Sequence, residues 1–585
     1  MLILITLTSV ASANSVQGAA NQYFFRVEIL SQSDLPTRSI ANFLAQELSK
    51  IRIDSIINSQ PTGVFEAELV SRNFDIVFTE LEWPGTDVNP SVYFSEMGSG
   101  NYWGLDDTMN GGALNEELLS EGLIETDPTN RTKIYHDWQE NLMENLLPVI
   151  PCYSSVETYV SWDTLTGWDH EDGIIASLPY MEWSDTHIGQ LNDSVFIDYL
   201  DDWDILNPLF VEDDFAASLV AEPLFRIGYN NNPDPVLATD WVFTESDTVL
   251  TISLRENVLW QVDEDNIYTT EYFGADDVIF SILAYQEIST VGSYFDWIES
   301  VNKINNSAIE ITIDGDSDTA GNQPYATALT SLDVLMLPEH YLNVSVGVDG
   351  LPDTNDPNWG KYSANGLGTG MYRYVPGKYQ EGVEAVFYSR DDWWGSTPEG
   401  YNEELDIKQY TFRFLTDLNT IQLEFEGGNL DINKDYRTTD SAYDNAPYQK
   451  QTRDKFDMTY IGFNLKSIDC PELGDQTLTE DGTMSKGLAV RKALAYLIDK
   501  QDIESLLDIE LSIAESPISI RFGTLVNTEM IVYDANLETA KEYMLKAGYN
   551  PSTIPTPGFG FLLSLTTIFA ISVIFSINKV RKQKK

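Results

Sequence analysis

The side chains that most often carry catalysis are few in this 585-residue chain, and their spacing does not fit it. The four histidines, His136, His170, His187 and His340, stand in no His-Glu-x-x-His or comparable zinc-ligand spacing, which argues against a metalloenzyme. No Gly-x-Ser-x-Gly elbow or Walker A loop is present, and Gly98-Ser99-Gly100 is too short to act as either. Asp314, Asp316 and Asp318 have the one-three-five spacing of a calcium loop. Thr319 stands where an EF-hand needs glycine and no glutamate follows at the twelfth position, so a solvated acidic loop is expected. Carboxylate pairs are so abundant that spacing alone cannot single out the two of a glycosidase. Cys152 and Cys470 allow either one disulfide or two separate thiols. No metal site, no cofactor site and no catalytic constellation emerge, which favours recognition and leaves an extracellular hydrolase with a dispersed site as a rival.

Charge narrows what can be recognised. Against 92 acidic residues there are 34 basic ones, a formal net charge of −58. A nucleic-acid binder neutralises phosphates with Lys and Arg, so that class is excluded. The acid implies a strongly hydrated surface of the kind seen in saline or cell-surface proteins. It repels anionic ligands, although at about 1 M salt the Debye length is only ~3 Å and long-range steering fades. With 43% hydrophobic and 12% aromatic residues the chain is globular, and its length calls for more than one core.

The two ends place the protein outside a membrane. Residues 1–19 read as a signal-peptide-like segment, with an apolar run ending in Ala-Ser-Ala and cleavage expected after Ala13. The run lacks a basic start, so a misplaced start codon is the other reading. Phe559–Ile577 is an uncharged run of 19 residues followed by Lys579, Arg581, Lys582, Lys584 and Lys585. At 1.5 Å per residue such a helix just spans a hydrocarbon core of about 30 Å. The positive-inside rule puts the basic tail, 579–585, in the cytoplasm and everything before the anchor, 559–578, outside. Thr556-Pro557-Gly558-Phe559, closing a short linker at 551–558, resembles the Pro-Gly-Phe signals of archaeal surface proteins, in which the span is replaced by a lipid. Asn130, Asn192, Asn305 and Asn343 lie in Asn-x-Ser/Thr sequons compatible with an external location.

Between the ends, strand-like and helical runs alternate, as in α/β lobes. Ile40, Phe43, Leu44, Leu48 and Ile51 have helical spacing over 39–51. The run 249–260 carries β-branched residues in partial alternation, and 274–288 follows as a helix with Asp276 and Asp277 in its first turn, where carboxylates suit the dipole. A further amphipathic helix over 537–550 stops near Gly548.

Several of these runs carry a family resemblance. LNPLFVEDDFAASLVAEPLFRI (206–227), LATDWVFTESDTVLTISLRENVLW (237–260) with GADDVIFSI (274–282), LPEHYL (337–342), GTGMYRYV (368–375) with YSRDDWW (388–394), EFEGGNLDI (424–432), TYIGFNL (459–465), VRKALAYLIDK (490–500) and YDANLETAKEYMLKAGY (533–549) follow one another as in the peptide/nickel, or oligopeptide-type, family 5 of solute-binding proteins of ABC importers. An acidic loop, Val262–Asp265, replaces that family's usual Asp-Gly. The family's last third is absent after Asn550 and is resembled instead at the front, by 23–30, 39–53, 73–90, 131–153 and Leu165–Trp168. The order is that of a circular permutant or of a tandem pair whose first copy lost its front.

The resemblance implies an α/β, two-lobed periplasmic-binding-protein-like fold (class II, the venus-flytrap type) with a C-terminal transmembrane helix. One lobe would be continuous over 151–404, and 405–550 would join 23–150 in the other. It implies a protein without catalysis that captures oligopeptides by lobe closure for an ABC permease, tethered at the cell surface. A surface receptor or adhesin on the same fold, or an oligosaccharide binder, are the alternatives. By position in the family, Trp83 matches the tryptophan before the amino-group-binding aspartate; Thr86 occupies that aspartate's place and Asp87 follows, as ligand contact or as turn cap. Tyr102, Trp103, Tyr153, Tyr372, Phe463 and Asn464 match regions near the cleft. Arg390 is a candidate for a ligand carboxylate or for a structural ion pair.

Overall fold

The computed structural model describes residues 23–551 apart from 84–87, 191, 204, 212–214, 229–232, 291, 318, 397–403, 435–440 and 508–510. The signal-like segment, the anchor run and its basic tail lie outside the described residues. Among the described residues no helix is long and apolar enough to cross a membrane.

The chain starts with β1 (Phe25–Gln32), α1 (Leu35–Lys50) and β2 (Ile53–Gln60), with β1 and β2 paired in parallel over their full length. Asp34 caps α1 by accepting the Thr37 amide at 2.9 Å, and Ile40, Ala41, Leu44 and Leu48 form the helix face that is buried. α2 (Thr62–Val70) leads to β3 (Ile76–Leu81), which lies parallel to β1 on its other side. Then come α3 (Gly112–Ile124), α4 (Pro128–Asn141) and the 14-residue β4 (Val149–Trp162).

Two further sheets follow. In the first, β5 (Val195–Leu200) is the edge strand. In the second, β6 (Ala238–Thr244) and β7 (Val249–Leu254) form a hairpin. α5 (Ala275–Glu287) crosses to β8 (Ile298–Asn305) and β9 (Ala308–Ile313), giving the antiparallel order β6-β7-β9-β8. β10 (Tyr372–Tyr374), β11 (Glu384–Ser389) and β12 (Gln409–Phe414) complete the sheet β10-β11-β12-β5. After α6 (Leu418–Glu426) and β13 (Ile432–Asn433), the 16-residue β14 (Tyr448–Phe463) returns to the first sheet. α7 (Lys486–Ala495), β15 (Leu511–Ile513) and α8 (Leu537–Lys546) finish the described chain. The returning strands make a seven-stranded sheet, β13-β4-β14-β3-β1-β2 with β15 on β4.

Apolar packing sorts these elements into two large cores. One holds Val27 to Tyr153 together with Met458 to Ala547. The other holds Leu165 to Ile432. Leu405, Ile407, Tyr410 and Phe412 belong to the second core, because β12 pairs with β11 and with β5 rather than with the first sheet. Cys152 and Cys470 are buried and free.

The first core is tied across its two chain segments by a buried cation. Arg491, on α7, donates to the carbonyls of Leu146 at 2.6 Å and Leu147 at 3.0 Å, and to that of Leu473. It satisfies the acceptors left where the helix that starts at Pro128 ends. In the second core, Asp277 caps α5. It accepts the Gly274 amide at 2.9 Å, the Glu339 amide at 3.0 Å and Trp260 Nε1 at 3.3 Å. Burial outweighs these bonds and pushes its pKa up to about 7.

Two outcomes follow from these groups. Arg491→Met leaves three buried carbonyls unpaired and is expected to lower stability by about 2–4 kcal/mol, read from the urea midpoint. Asp277 has a folded pKa above its ordinary 3.8, so its contribution is complete below about pH 4 and is lost as pH rises through about 7. Asp277→Asn is expected to flatten that part of the stability–pH curve between pH 4 and 7 in urea titrations at stepped pH.

Candidate functional site

β4 and β14 are long enough to run from the first core to a smaller cluster beside the second, where Val160 and Trp162 pack with Tyr199, Phe425 and Tyr443. Their 149–154 and 458–463 ends pair inside the first core, and their 158–162 and 448–452 ends run on beside the second. Between the two stretches the register shifts from Asp454 opposite Val156 to Met458 opposite Ser154, so that Lys455, Phe456 and Asp457 bulge from the ladder. A bulge bends its strand and re-aims its side chains, and here it does so where the two cores meet.

The bulge carries a charge-paired seam. Lys455 Nζ lies 2.5 Å from Asp457. Arg453 donates from Nε to Glu157 at 2.6 Å and from Nη1 to the carbonyls of His170 and Glu171, both at 3.1 Å, tying the shared strands to the loop that enters the second core. Tyr159 donates to the other Glu157 oxygen at 2.5 Å. Burial raises the Glu157 pKa, but the Arg453 charge and these bonds overcome it and leave the carboxyl below its usual range. Glu80, which accepts from Ser155, is raised by burial. His170 packs against Tyr159 with ring centroids 4.8 Å apart. Burial, then the Arg453 charge, lowers its pKa to about 4, so it is neutral at ordinary pH. Arg521 stacks on Phe456 at 4.1 Å, and Phe522 bridges Phe456 (4.9 Å) to Trp83 (5.7 Å).

Beyond Trp83 the seam opens into a cavity of about 570 Å³ between the cores. Asn89, Ser91, Ser95 and Ser99 line it from the first core's side. Tyr294, Tyr325, Thr327, Ser331 and Asp333 line it from the other. Tyr93 joins cavity to seam, with its ring 5.6 Å from Trp83 and 6.4 Å from Tyr102. At the rim the cores touch again. The Ala326 amide donates to the Leu123 carbonyl at 2.7 Å, and Thr126 Oγ1 to Asp247 at 2.8 Å. A volume in this range suits a small-molecule or short-polymer ligand.

Of the residues nominated from the sequence, Trp83 and Tyr102 each pack against Tyr93, and neither lines the cavity. Thr86 and Asp87 lie outside the described residues. Trp103 is fully buried, edge-on to Tyr460 at 6.4 Å and against Gly462, where an added Cβ would come within 1.9 Å of its ring. Tyr153 is a buried ladder residue opposite Thr459 and Ile513. Tyr372 is fully buried and donates to the Ile407 carbonyl at 2.8 Å. Arg390 is bonded to Asp392 at 3.0 Å and to the carbonyls of Gly368, Gly370 and Leu259 at 3.1–3.3 Å. Phe463 is in the first core. Asn464 pins the carbonyls of Arg72 and Phe74, both at 2.9 Å, at the opposite end of the sheet from Trp83. Trp393 and Trp394 donate their indole N–H groups to the buried Glu222, at 3.0 and 2.8 Å. The cavity residues were missed. Thr327, Thr330 and Ser331 do stand at i, i+3 and i+4, a helical hydroxyl stripe, but nothing in the sequence says which surface it faces.

Among the described residues no group of three or more His, Cys, Asp or Glu is placed to hold a metal. The arrangement offers hydroxyls, tyrosine rings and paired charges, which bind without transferring a group.

No curated protein matches the chain. Solved structures similar to it include NikZ from Campylobacter jejuni in complex with Ni(L-His), at 21% identity and TM-score 0.41 over 60% of this chain and 63% of that one. Another is the oligopeptide-binding protein AppA from Bacillus subtilis in complex with a nonapeptide, at 15% identity and TM-score 0.40, again over 60% and 63%. HbpA2 from Haemophilus parasuis is similar at 20% identity and TM-score 0.42, over 61% and 67%. The chain thus spans a little under two thirds of NikZ and AppA. Residues 232–569, more than half of the chain, match the family model for bacterial extracellular solute-binding proteins, family 5 (middle). Family 5 proteins are extracellular or periplasmic, and are the non-catalytic substrate-binding components of ABC transporters. This chain belongs to that family.

Proposed function

We propose that this protein captures oligopeptides outside the cell and presents them to an ABC permease, closing its two lobes on the ligand and leaving it chemically unchanged. The observation that carries the reading is the cavity itself. It lies between two cores joined by the β4–β14 pair and touching again at Leu123–Ala326 and Thr126–Asp247. Hinge closure needs strands that bend at one place and rim contacts that can break, and the bulge at 455–457 and these two hydrogen bonds supply both. Main-chain amides of an extended peptide find partners in the hydroxyls of Ser91, Ser95, Thr327 and Ser331, directly or through water.

The permuted order supports the same reading, since the segments that resemble the family's last third, within 23–153, enter one core together with those at 459–549. The external, tethered location rests on the apolar run 559–577 and on the sequons, whose four asparagines are all exposed. Phe24 and Phe25 each pack 5.3 Å from Tyr549, so both ends of the described chain leave from the same corner of the first core. A tether beginning after residue 551 would leave the cleft free.

Melting curves against peptides of two to eight residues test this. A ligand at a hundred times its Kd stabilises the native state by about 2.7 kcal/mol, a clear upward shift in Tm, and mass spectrometry should recover the peptide intact. A folded protein whose melt no peptide moves, or one that returns cleaved peptide, would overturn the proposal.

A further inference from the structure

Two large side chains with apolar surface stand out among the hydroxyls that line the cavity. Met97, on the first core's side, is 89% exposed, and Tyr294, on the other, is 42% exposed. A single exposed apolar residue is ordinary. These two line one cavity from its two sides, and each is held there by backbone that is itself fixed. Met97 sits on the turn 95–100. The Gly98 amide donates to the Ser95 carbonyl at 3.1 Å, and the Gly100 amide to that of Val92 at 2.9 Å. A Cβ on Gly98 would run into the Ser91 carbonyl and one on Gly100 into the Tyr93 ring, so only glycine lets the turn close down on Ser91–Phe94. Glu116, on α3, pins the same turn by accepting the Ser95 hydroxyl at 2.7 Å and the Glu96 amide at 3.0 Å. Tyr294 belongs to a single helical turn, Gly292–Phe295. Phe295 and Trp297 beside it are buried, and Gln286 donates to the Phe295 carbonyl at 3.2 Å, which leaves Tyr294 outside the core. Burial raises the Tyr102 pKa and the nearby Tyr294 hydroxyl raises it further, which puts the tip of Tyr294 close to the first core. Val92 and Val334 extend the apolar surface on the two sides. Water against a thioether and a ring face makes few hydrogen bonds, and a ligand group that displaces it gains in proportion to the apolar area covered.

We infer that the cleft selects peptides carrying a large apolar side chain, Leu, Met or Phe, which Met97 and Tyr294 grip from the two sides as the lobes close. This rests on the peptide-capture reading above and adds the side-chain class of the ligand. The thioether is unbranched and polarisable, so it adjusts to side chains of different shape, while the tyrosine offers a flat face. The Ser and Thr hydroxyls serve the main chain, which is the same in every peptide. Selection by apolar contact persists in high salt, where the field of a chain with net charge −58 fades.

The test is calorimetric titration of the intact protein with alanine pentapeptides in which one residue, Leu, Phe or Asn, is walked along the chain. At one position the Leu and Phe peptides are expected to bind about tenfold tighter than the Asn peptide, a gap of about 1.4 kcal/mol. Their binding should also show the more negative heat-capacity change, and 1 M salt should leave the gap open. Met97→Ser and Tyr294→Ser should each shrink the gap about threefold with the unliganded melt unaltered, since both side chains stand in water. Val348→Ser, at an exposed apolar residue away from the cavity, should leave the gap as it is. A gap that neither cavity variant moves overturns the assignment to Met97 and Tyr294. Equal binding of the three peptides at every position, or a preference for Asn, overturns the apolar selection and leaves peptide capture standing. Failure of all of them to bind overturns the capture reading and this inference with it.

Discussion

The architecture depends on the antiparallel pair β4–β14. Other sheet strands belong to one core, but these two pass through the seam and carry the ladder from Gly462–Val149 at one end to Tyr448–Trp162 at the other. Their hydrogen bonds make the connection between lobes a continuous ribbon, while the bulge at 455–457, with a second register shift at Thr459–Tyr460, gives that ribbon its soft place. The Arg453–Glu157 pair sits beside the soft place. Taking two charges out of water costs several kcal/mol per ion, and their attraction offsets this only where geometry and further hydrogen bonds are good. Tyr159 and the carbonyls of His170 and Glu171 provide those bonds. The pair therefore contributes position more than net stability, because it fixes the angle at which the second core's first loop leaves the shared strands.

The acidic composition acts on the same geometry. With almost three carboxylates for every cation, several half-buried cations are matched locally, as Lys455 is by Asp457, Lys434 by Asp198 at 2.8 Å and Arg413 by Glu424 at 2.8 Å. Most of the remaining acid is on the surface, where water solvates it, while buried Glu222 and Asp277 are held by N–H donors. A surface of this kind keeps lobes from adhering non-specifically, and it means that a closed cleft must be held by directional contacts. The rim provides two neutral-donor hydrogen bonds rather than ion pairs, a choice that is insensitive to salt.

The sequence disclosed more of the fold than of the site. The periodicity over 39–51, the Asp276-Asp277 first turn and the stop at Gly548 correspond to α1, α5 and α8 as observed, because helix faces and caps are local signals. Strand partners were not legible, since a seven-stranded sheet assembled from both ends of the chain has no local signature. The site was hidden for a related reason. Trp103, Tyr153, Tyr372 and Phe463 are aromatic and lie near cleft regions of the family, yet each fills a core, and the pleat alone decides which face a strand residue takes. The bulge at 455–457 shifts that alternation and brings Lys455 and Asp457 to the seam, a change no periodicity reveals. For Arg390 the sequence offers a ligand carboxylate or a structural ion pair, and the structure shows it bonded to three carbonyls and Asp392.

The division of the chain also bears on how it folds. The second core is built from the continuous stretch 165–432, whereas the first needs 25–153 and 458–547 to meet across all of it. Loop-closure entropy grows only logarithmically, by about 0.6 kcal/mol per doubling of length, so the split costs little at equilibrium. Its cost is kinetic, since β3 and β4 must wait for β14, the strand that completes the sheet between them. Until then the β3 edge, with Ile76, Val77 and Phe78, is unpaired and apolar, the kind of edge that recruits other chains. Early formation of the second core shortens the wait by bringing β4 and β14, which leave it side by side, into register. The ribbon that defines the cleft in the folded protein is thus also the element on which closure of the split lobe's sheet depends.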